Sequence, residues 1–177
     1  MVDATMMKPN RRLLLVFFVV LATVSGDQFS KIVATEHLKG QGVVPVLGRF
    51  LVLKYAENPG AFMSIGAEWP HGVRFSVLIV LSAAILVGIA VYLWRSSSLN
   101  TVQAIGFALV LGGGMSNVVD RIRHGGLVVD FMNLGIGRIR SGVFNLADVF
   151  ILTGIVLAFL PRREPSLQPS ENDASRA

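Results

Sequence analysis

The sequence contains no cysteine, which excludes disulfide bonds, thiolate metal ligands and a cysteine nucleophile. Charged residues are also scarce: they occupy 15% of positions, against about 25% in an ordinary soluble chain. Apolar residues make up 53% of the sequence and the mean hydropathy is +0.62. These values predict a single membrane-embedded domain rather than a soluble one.

Other absences narrow the chemistry. The net charge of +5 is spread between apolar runs and forms no basic face with interleaved aromatics, which argues against nucleic-acid binding. His37, His71 and His124 lack the spacing of a metal site, so we expect no metal and no cofactor. The serines lack a Gly-x-Ser-x-Gly context, which argues against a serine hydrolase.

Four apolar runs predict a four-helix membrane bundle within one domain, residues 1–160, followed by a disordered cytoplasmic tail, 161–177. The predicted spans are about 12–30, 73–94, 102–120 and 143–160. Alone, the first run could be a cleavable signal peptide, because basic residues precede it and Val24-Ser25-Gly26 follows. The three later runs favour a first span. Glycines at 106 and 112–114 of the third run would allow helices to approach closely.

Four spans place both termini on one side of the membrane. Arginines flank the spans on that side, which predicts that it is cytoplasmic. The segments 27–72 and 120–142, which carry the unusual polar residues, would then be external. Within the first, Phe50 to Tyr55 is typical of a short strand lying on a membrane or covering a groove. Asn58-Pro59-Gly60 is a turn signal, and Asn58 could also bind a substrate backbone.

Several acids sit in apolar surroundings. Asp27 lies at the end of the first span, and either it faces the bundle or the segment is an interfacial terminus with Lys31 reaching to water. The Asp120-Arg121 pair is typical of a structural contact, or Arg121 could hold a neighbouring acid or a lipid phosphate. Asp130 lies in an apolar patch. Asp148 lies in the first turns of the fourth span, three residues after Asn145 on the same helix face.

Two carboxylates on the same membrane side can share a proton and activate a water molecule, which suits hydrolysis of a peptide bond. Asp130 and Asp148 are the candidates. Two alternatives stay open. An intramembrane aspartic protease of another class would carry Gly-x-Gly-Asp, which this sequence lacks. A small proton-coupled carrier or assembly factor could use the same acids as a relay, although four spans are few and no inverted repeat is visible.

Five segments in order resemble the lipoprotein signal peptidase (signal peptidase II) family. They run from Asp27 to Thr153: Asp27-Gln28-x-Ser30-Lys31, Asn58-x-Gly60-Ala61, Gly112-Gly113-x-x-x-Asn117-x-x-Asp120-Arg121, Val128-Val129-Asp130-Phe131 and Phe144-Asn145-x-Ala147-Asp148. Two features depart from the family pattern: Phe62-Met63 after the second segment, and a longer spacing from Asp120 to Asp130 that includes Gly125-Gly126.

The resemblance implies an aspartic endopeptidase of the bacterial inner membrane, and we expect it to be a monomer. It would cut diacylglycerated prolipoproteins just before the lipid-modified cysteine, near the external leaflet and in contact with membrane lipids. By position, Asp130 and Asp148 would be catalytic. The residues implied to bind substrate or support the site are Asp27, Asn58, Gly60, Asn117, Arg121 and Asn145. Residues 40–68 would form an external β-cradle and 121–142 a loop with an interfacial helix, while the glycines of the third span would leave room for acyl chains.

Overall fold

The computed structural model describes residues 9–60, 68–96 and 99–161. Phe62-Met63 and all but one residue of the tail predicted for 161–177 lie outside these ranges. The described helices are α1 (Pro9–Leu38), α2 (His71–Arg95), α3 (Thr101–Arg123) and α4 (Leu146–Ala158). The described strands are β1 (Val44–Leu47), β2 (Leu51–Asn58), β3 (Val128–Ile136) and β4 (Ile139–Arg140), which form one antiparallel sheet in sequence order.

Three helices, α1 to α3, are long and apolar enough to cross a membrane, whereas α4 is a shorter apolar helix of 13 residues. At 1.5 Å per residue α4 extends for about 20 Å, less than a hydrocarbon core of about 30 Å. The expectation of four spans is therefore not confirmed. The helix begins at Leu146 and not at residue 143, where the fourth span was predicted to begin. Phe144 is extended and pairs with Met132 of β3, and Asn145 is the N-cap of the helix.

The glycines of α3 bring the other helices close. A Cβ on Gly112 would lie 2.8 Å from Thr23 of α1. A Cβ on Gly113 would lie 2.6 Å from the Ala147 carbonyl oxygen of α4, and one on Gly114 would lie 2.6 Å from Leu86 of α2. These contacts agree with the expected close approach of helices. The expectation that the glycines leave room for acyl chains is wrong, because protein atoms occupy that space.

The two ends of the bundle can be told apart by their contacts. Buried Arg12, near the start of α1, donates to the carbonyl oxygens of Ser96 and Trp94 at the end of α2. A cation there also complements the negative end of the helix dipole. Exposed Trp69 and Trp94 bracket α2, as tryptophans do at the two membrane interfaces. The sheet and the start of α4 lie at the end opposite to Arg12.

The sheet takes two of its strands from each of the two segments that were predicted to be external. β1 and β2 agree with the strand predicted near 50–55 and with the cradle predicted for 40–68, but the interfacial helix predicted within 121–142 is wrong: the chain there forms β3 and β4. Gly125 and Gly126 adopt positive φ, which ends α3 and reverses the chain. The β-branched residues that follow then pair with β2. The sheet packs on the last turns of α1 through Ala34, Leu38 and Phe131.

Candidate active site

A cavity of about 100 Å³ lies between the sheet and the ends of α3 and α4. Its lining includes six of the eight predicted site residues: Asn58, Asn117, Arg121, Asp130, Asn145 and Asp148. The other two, Asp27 and Gly60, lie outside the lining. Gly60 contacts Arg121 of the lining, and Asp27 contacts Ala147, which is next to Asp148 in the chain. The cavity therefore brings together polar side chains from β2, β3, α3 and α4.

Asp130 sits in the middle of β3 opposite Ala56 of β2, and only 1% of its surface is exposed. Each carboxylate oxygen accepts one amide hydrogen bond: Oδ2 from Asn58 Nδ2 at 2.9 Å, and Oδ1 from Asn145 Nδ2 at 2.7 Å. Burial raises the pKa of Asp130 to about 6 and the charge of Asp148 adds to that rise, while the two amide bonds act in the opposite direction. The protein environment therefore favours the protonated form of this carboxyl more than water does.

Asp148 is fixed by the cap of α4. Asn145 is the N-cap, and its Oδ1 accepts from the Asp148 backbone N–H at 3.0 Å. In return, Asp148 Oδ2 accepts from the Asn145 backbone N–H at 3.2 Å, which completes a capping box. Asn117 Nδ2 of α3 donates to the other oxygen, Oδ1, at 3.1 Å. Asp148 is half-buried, and the positive end of the helix dipole favours its charge.

Asn145 connects the two acids. Its side chain donates to Asp130, while its backbone and side-chain oxygen hold Asp148. The same Nδ2 also reaches Asn117 Oδ1 at 3.1 Å, and that oxygen accepts in addition from Lys31 Nζ at 3.0 Å. With two donors on its oxygen, Asn117 must turn its amide nitrogen toward Asp148.

Asp27 faces the bundle and is fully buried. Its Oδ1 accepts from the Ala147 backbone N–H in the first turn of α4 at 2.7 Å, and its Oδ2 accepts from Ser116 Oγ at 2.7 Å. Lys31, four residues later, pairs with the same Oδ2 at 2.7 Å. The contacts support the interpretation that Asp27 faces the bundle, and Lys31 does not reach to water because only 3% of it is exposed.

Asp120 does not pair with its neighbour Arg121. It accepts from Lys31 at 2.9 Å, from Gln28 Nε2 at 2.7 Å and from the Val129 backbone N–H at 3.1 Å. The carboxylate therefore joins α1 and α3 to the start of β3, which is the structural role expected for it.

Arg121 holds the turn that follows β2. Its Nη2 donates to the Gly60 carbonyl oxygen at 3.0 Å, and the Gly60 N–H donates to Asn58 Oδ1 at 2.9 Å. Asn58 is thus both a turn residue and a partner of Asp130. The buried Nε of Arg121 has no hydrogen-bond partner within the described ranges.

Sequence reasoning missed two contributors. Ser116 was not singled out, and no local pattern marks it. For Lys31, the sequence offered the interpretation that its side chain reaches water and not the pairing with Asp27, although its position four residues after Asp27 is the spacing of a helical ion pair. Among the described residues, no group of three or more histidine, aspartate or glutamate side chains could hold a metal ion.

Comparisons with known proteins point to one family. The profile of a family described as signal peptidase (SPase) II matches residues 19–161. Lipoprotein signal peptidase of Moorella thermoacetica is 35% identical over 160 residues, 88% of this chain and 98% of the relative. That of Rhizorhabdus wittichii is 37% identical over 152 residues, 82% of this chain and 85% of the relative.

Solved structures agree on the fold. Two described as bacterial membrane enzymes, determined in meso at 2.3 and 1.9 Å resolution, superpose with TM-scores of 0.68 and 0.67, each at 22% identity. The first similarity covers 86% of this chain and 87% of the other; the second covers 88% and 94%. The sequence matches carry the stronger conclusion: this chain belongs to the signal peptidase II family.

Proposed function

We propose that residues 1–160 form a single aspartic endopeptidase domain that removes the signal peptide from diacylglycerated prolipoproteins, with Asp130 and Asp148 as the catalytic pair. One observation carries the proposal: both carboxyl groups line one cavity, and Asn145 holds both. Such a pair keeps one proton near neutrality, because two close carboxylates do not both ionise readily.

The chemistry needs one ionised and one protonated carboxyl. The carboxylate takes a proton from a water molecule in the cavity, and the water oxygen bonds to the carbonyl carbon of the scissile bond. The carboxylic acid gives its proton to the carbonyl oxygen. In the second step the carboxyl group that took the water proton gives it to the leaving nitrogen, the C–N bond breaks, and the other carboxylate takes back a proton from a hydroxyl of the tetrahedral intermediate. Asn58, Asn117 and Asn145 hold the carboxyl groups in place throughout, which limits reorganisation during the reaction.

The site lies where a lipid-anchored substrate presents its peptide. A diacylglyceryl chain in the outer leaflet would hold the scissile bond at membrane-surface depth, next to the ends of α3 and α4. We assign this end of the bundle to the external face of the inner membrane. Both termini are then cytoplasmic, since the start of α1 lies at the Arg12 end and α4 runs back toward it, with Ala158 against Gly106. The Nε of Arg121, which has no hydrogen-bond partner among the described residues, is suited to a substrate carbonyl oxygen.

A gel-shift assay tests the proposal. Purified protein in micelles is given a diacylglycerated prolipoprotein, and release of the signal peptide is followed for wild type, Asp130→Asn and Asp148→Asn. Each variant should lose cleavage, while Glu68→Gln, which changes an exposed acid, should retain it. Turnover by either Asn variant would remove that residue from the mechanism. Retained function in Asp130→Glu and Asp148→Glu would favour a proton relay instead.

A further inference from the structure

The two turns of the sheet meet at one corner. The β1–β2 turn contains Gly48 and Arg49, and the β3–β4 turn contains Gly137 and Arg138; both glycines adopt positive φ. The Gly135 N–H donates to the Phe50 carbonyl oxygen at 2.8 Å, and Arg140 Nη1 donates to the Arg49 carbonyl oxygen at 3.0 Å. These two hydrogen bonds join the β1–β2 turn to the residues on either side of the β3–β4 turn.

This corner exposes apolar side chains that belong to no helix. We call the set the tip patch; it consists of Val46, Leu47, Phe50, Ile136 and Ile139. Ile136 and Ile139 are 76% and 84% exposed, and no large apolar side chain among the described residues is more exposed than these. Neighbouring apolar side chains exposed to this extent mark an interaction surface rather than chance exposure.

The charge around the tip patch has one sign. Segments 43–50 and 135–142 contain three arginines and no acidic residue. Arg140 is engaged with Asn133 and the neighbouring turn, but the side chains of Arg49 and Arg138 make no hydrogen bond or ion pair within the described part of the chain. At the other end of β2, by contrast, the exposed Lys39 is paired with Glu57.

We propose that the tip patch docks into the membrane leaflet on the side of the active-site cavity and that Arg49 and Arg138 bind anionic phospholipid headgroups. An apolar surface bordered by arginines suits the boundary between lipid headgroups and acyl chains. The apolar side chains would contact the acyl chains, and the arginines would contact the headgroup phosphates. Docking would hold the sheet, which carries Asp130 and Asn58, at a fixed height over the cavity. The inference requires only that the helices are membrane-embedded and does not depend on which residues hydrolyse the substrate.

The absence of native cysteine allows a direct test. The Ile139→Cys variant is labelled on its cysteine with an environment-sensitive fluorophore. It is placed in nanodiscs of phosphatidylcholine alone or of an equal mixture of phosphatidylcholine and phosphatidylglycerol. Each composition is used with and without a lipid that carries a quencher on its acyl chain. Gln41→Cys, an exposed residue before β1 at the end away from the turn, is the matched control. Arg49→Ser and Arg138→Ser, each added to the Ile139→Cys variant, test the arginines. Each substitution should lower the ratio of docked to undocked protein about fivefold.

We expect quenching at 139 and not at 41, stronger with phosphatidylglycerol and weakened by the arginine changes. The Asp148→Asn variant should give the same result, so loss of cleavage and loss of docking are separable. Quenching that is independent of phosphatidylglycerol and of the arginines would overturn the anionic-lipid assignment. A label at 139 that stays as exposed to water as the label at 41 would overturn docking itself, as would protection caused only by self-association of the protein.

Discussion

Lys31 gives the sharpest prediction, because one side chain there supports both stability and the site. Its ammonium lies 2.7 Å from Asp27, 2.9 Å from Asp120 and 3.0 Å from Asn117 Oδ1, and only 3% of the residue is exposed. Lys31→Met keeps a similar length and removes the charge. Two buried carboxylates then lose their shared cation, and Asn117 loses one of the two donors that orient it toward Asp148.

The expected cost follows from burial. Removing one partner of a buried ion pair costs about 3–5 kcal/mol, because the remaining charge stays buried without compensation. For a chain of this size each kcal/mol lowers the Tm by roughly 2–4 °C, so the midpoint should fall by roughly 6–20 °C. Lys39→Met is the matched control: its pair with Glu57 has the same N···O distance of 2.9 Å but is largely exposed, so its Tm should change little.

The assay is tryptophan-fluorescence unfolding in detergent, with cleavage measured on the same samples. A second substitution separates loss of charge balance from loss of packing. Asp27→Asn in the Lys31→Met background removes one stranded carboxylate, while its Oδ1 can still accept from Ala147 and Ser116 Oγ can accept from the new amide. The double variant should recover part of the lost Tm. A single variant as stable as wild type, or a double variant less stable than the single one, would refute the reasoning.

Two further predictions follow from packing and titration. Gly106→Ala places a methyl group 2.5 Å from the Ala158 backbone nitrogen and should lower the free energy of unfolding by about 1–3 kcal/mol. Gly88 has open space around it, so Gly88→Ala should be neutral or stabilising. Equal Tm values for the two variants would contradict this. Burial raises the pKa of Asp130 from 3.8 to about 6, so the folded state binds this proton more tightly than the unfolded chain. The protonated carboxyl therefore makes its full contribution to the free energy of unfolding below about pH 4. As the pH rises through about 6 this contribution is lost, which lowers the free energy of unfolding by up to about 3 kcal/mol. The Tm difference between wild type and Asp130→Asn should fall across that window, and a difference that does not vary with pH would contradict the assignment.

The sequence predicted the apolar helices because length and hydropathy are local properties. It also predicted most of the polar residues that line the cavity, since an acid in an apolar run is costly and usually has a functional role. The partners of those acids were not predictable. Asp27 and Ala147 are 120 positions apart in the chain, and only the packing of α1 against α4 brings them together.

The misread segment 121–142 has a similar cause. Its residues could have formed an interfacial helix, but β2 presents an edge with which Val128 to Asp130 and Met132 to Leu134 can pair. Strand formation depends on a neighbour, so local sequence patterns predict such segments less securely than an isolated helix. Positive φ at Gly125 and Gly126 decides the direction in which the chain leaves α3, and a glycine pair in the sequence does not reveal that direction.

The shortness of α4 has a physical reason that connects the fold to the proposed chemistry. A helix that begins inside the protein must satisfy its first N–H groups with protein acceptors, since it does not begin in bulk water. Asp27 accepts from Ala147, and Asn145 accepts from Asp148. With those donors satisfied, α4 can begin below the sheet, and Asp148 in its first turn can face the same cavity as Asp130 of β3. A longer fourth helix, begun at 143 as the hydropathy suggested, would remove the Asn145 cap and with it the connection between the two acids.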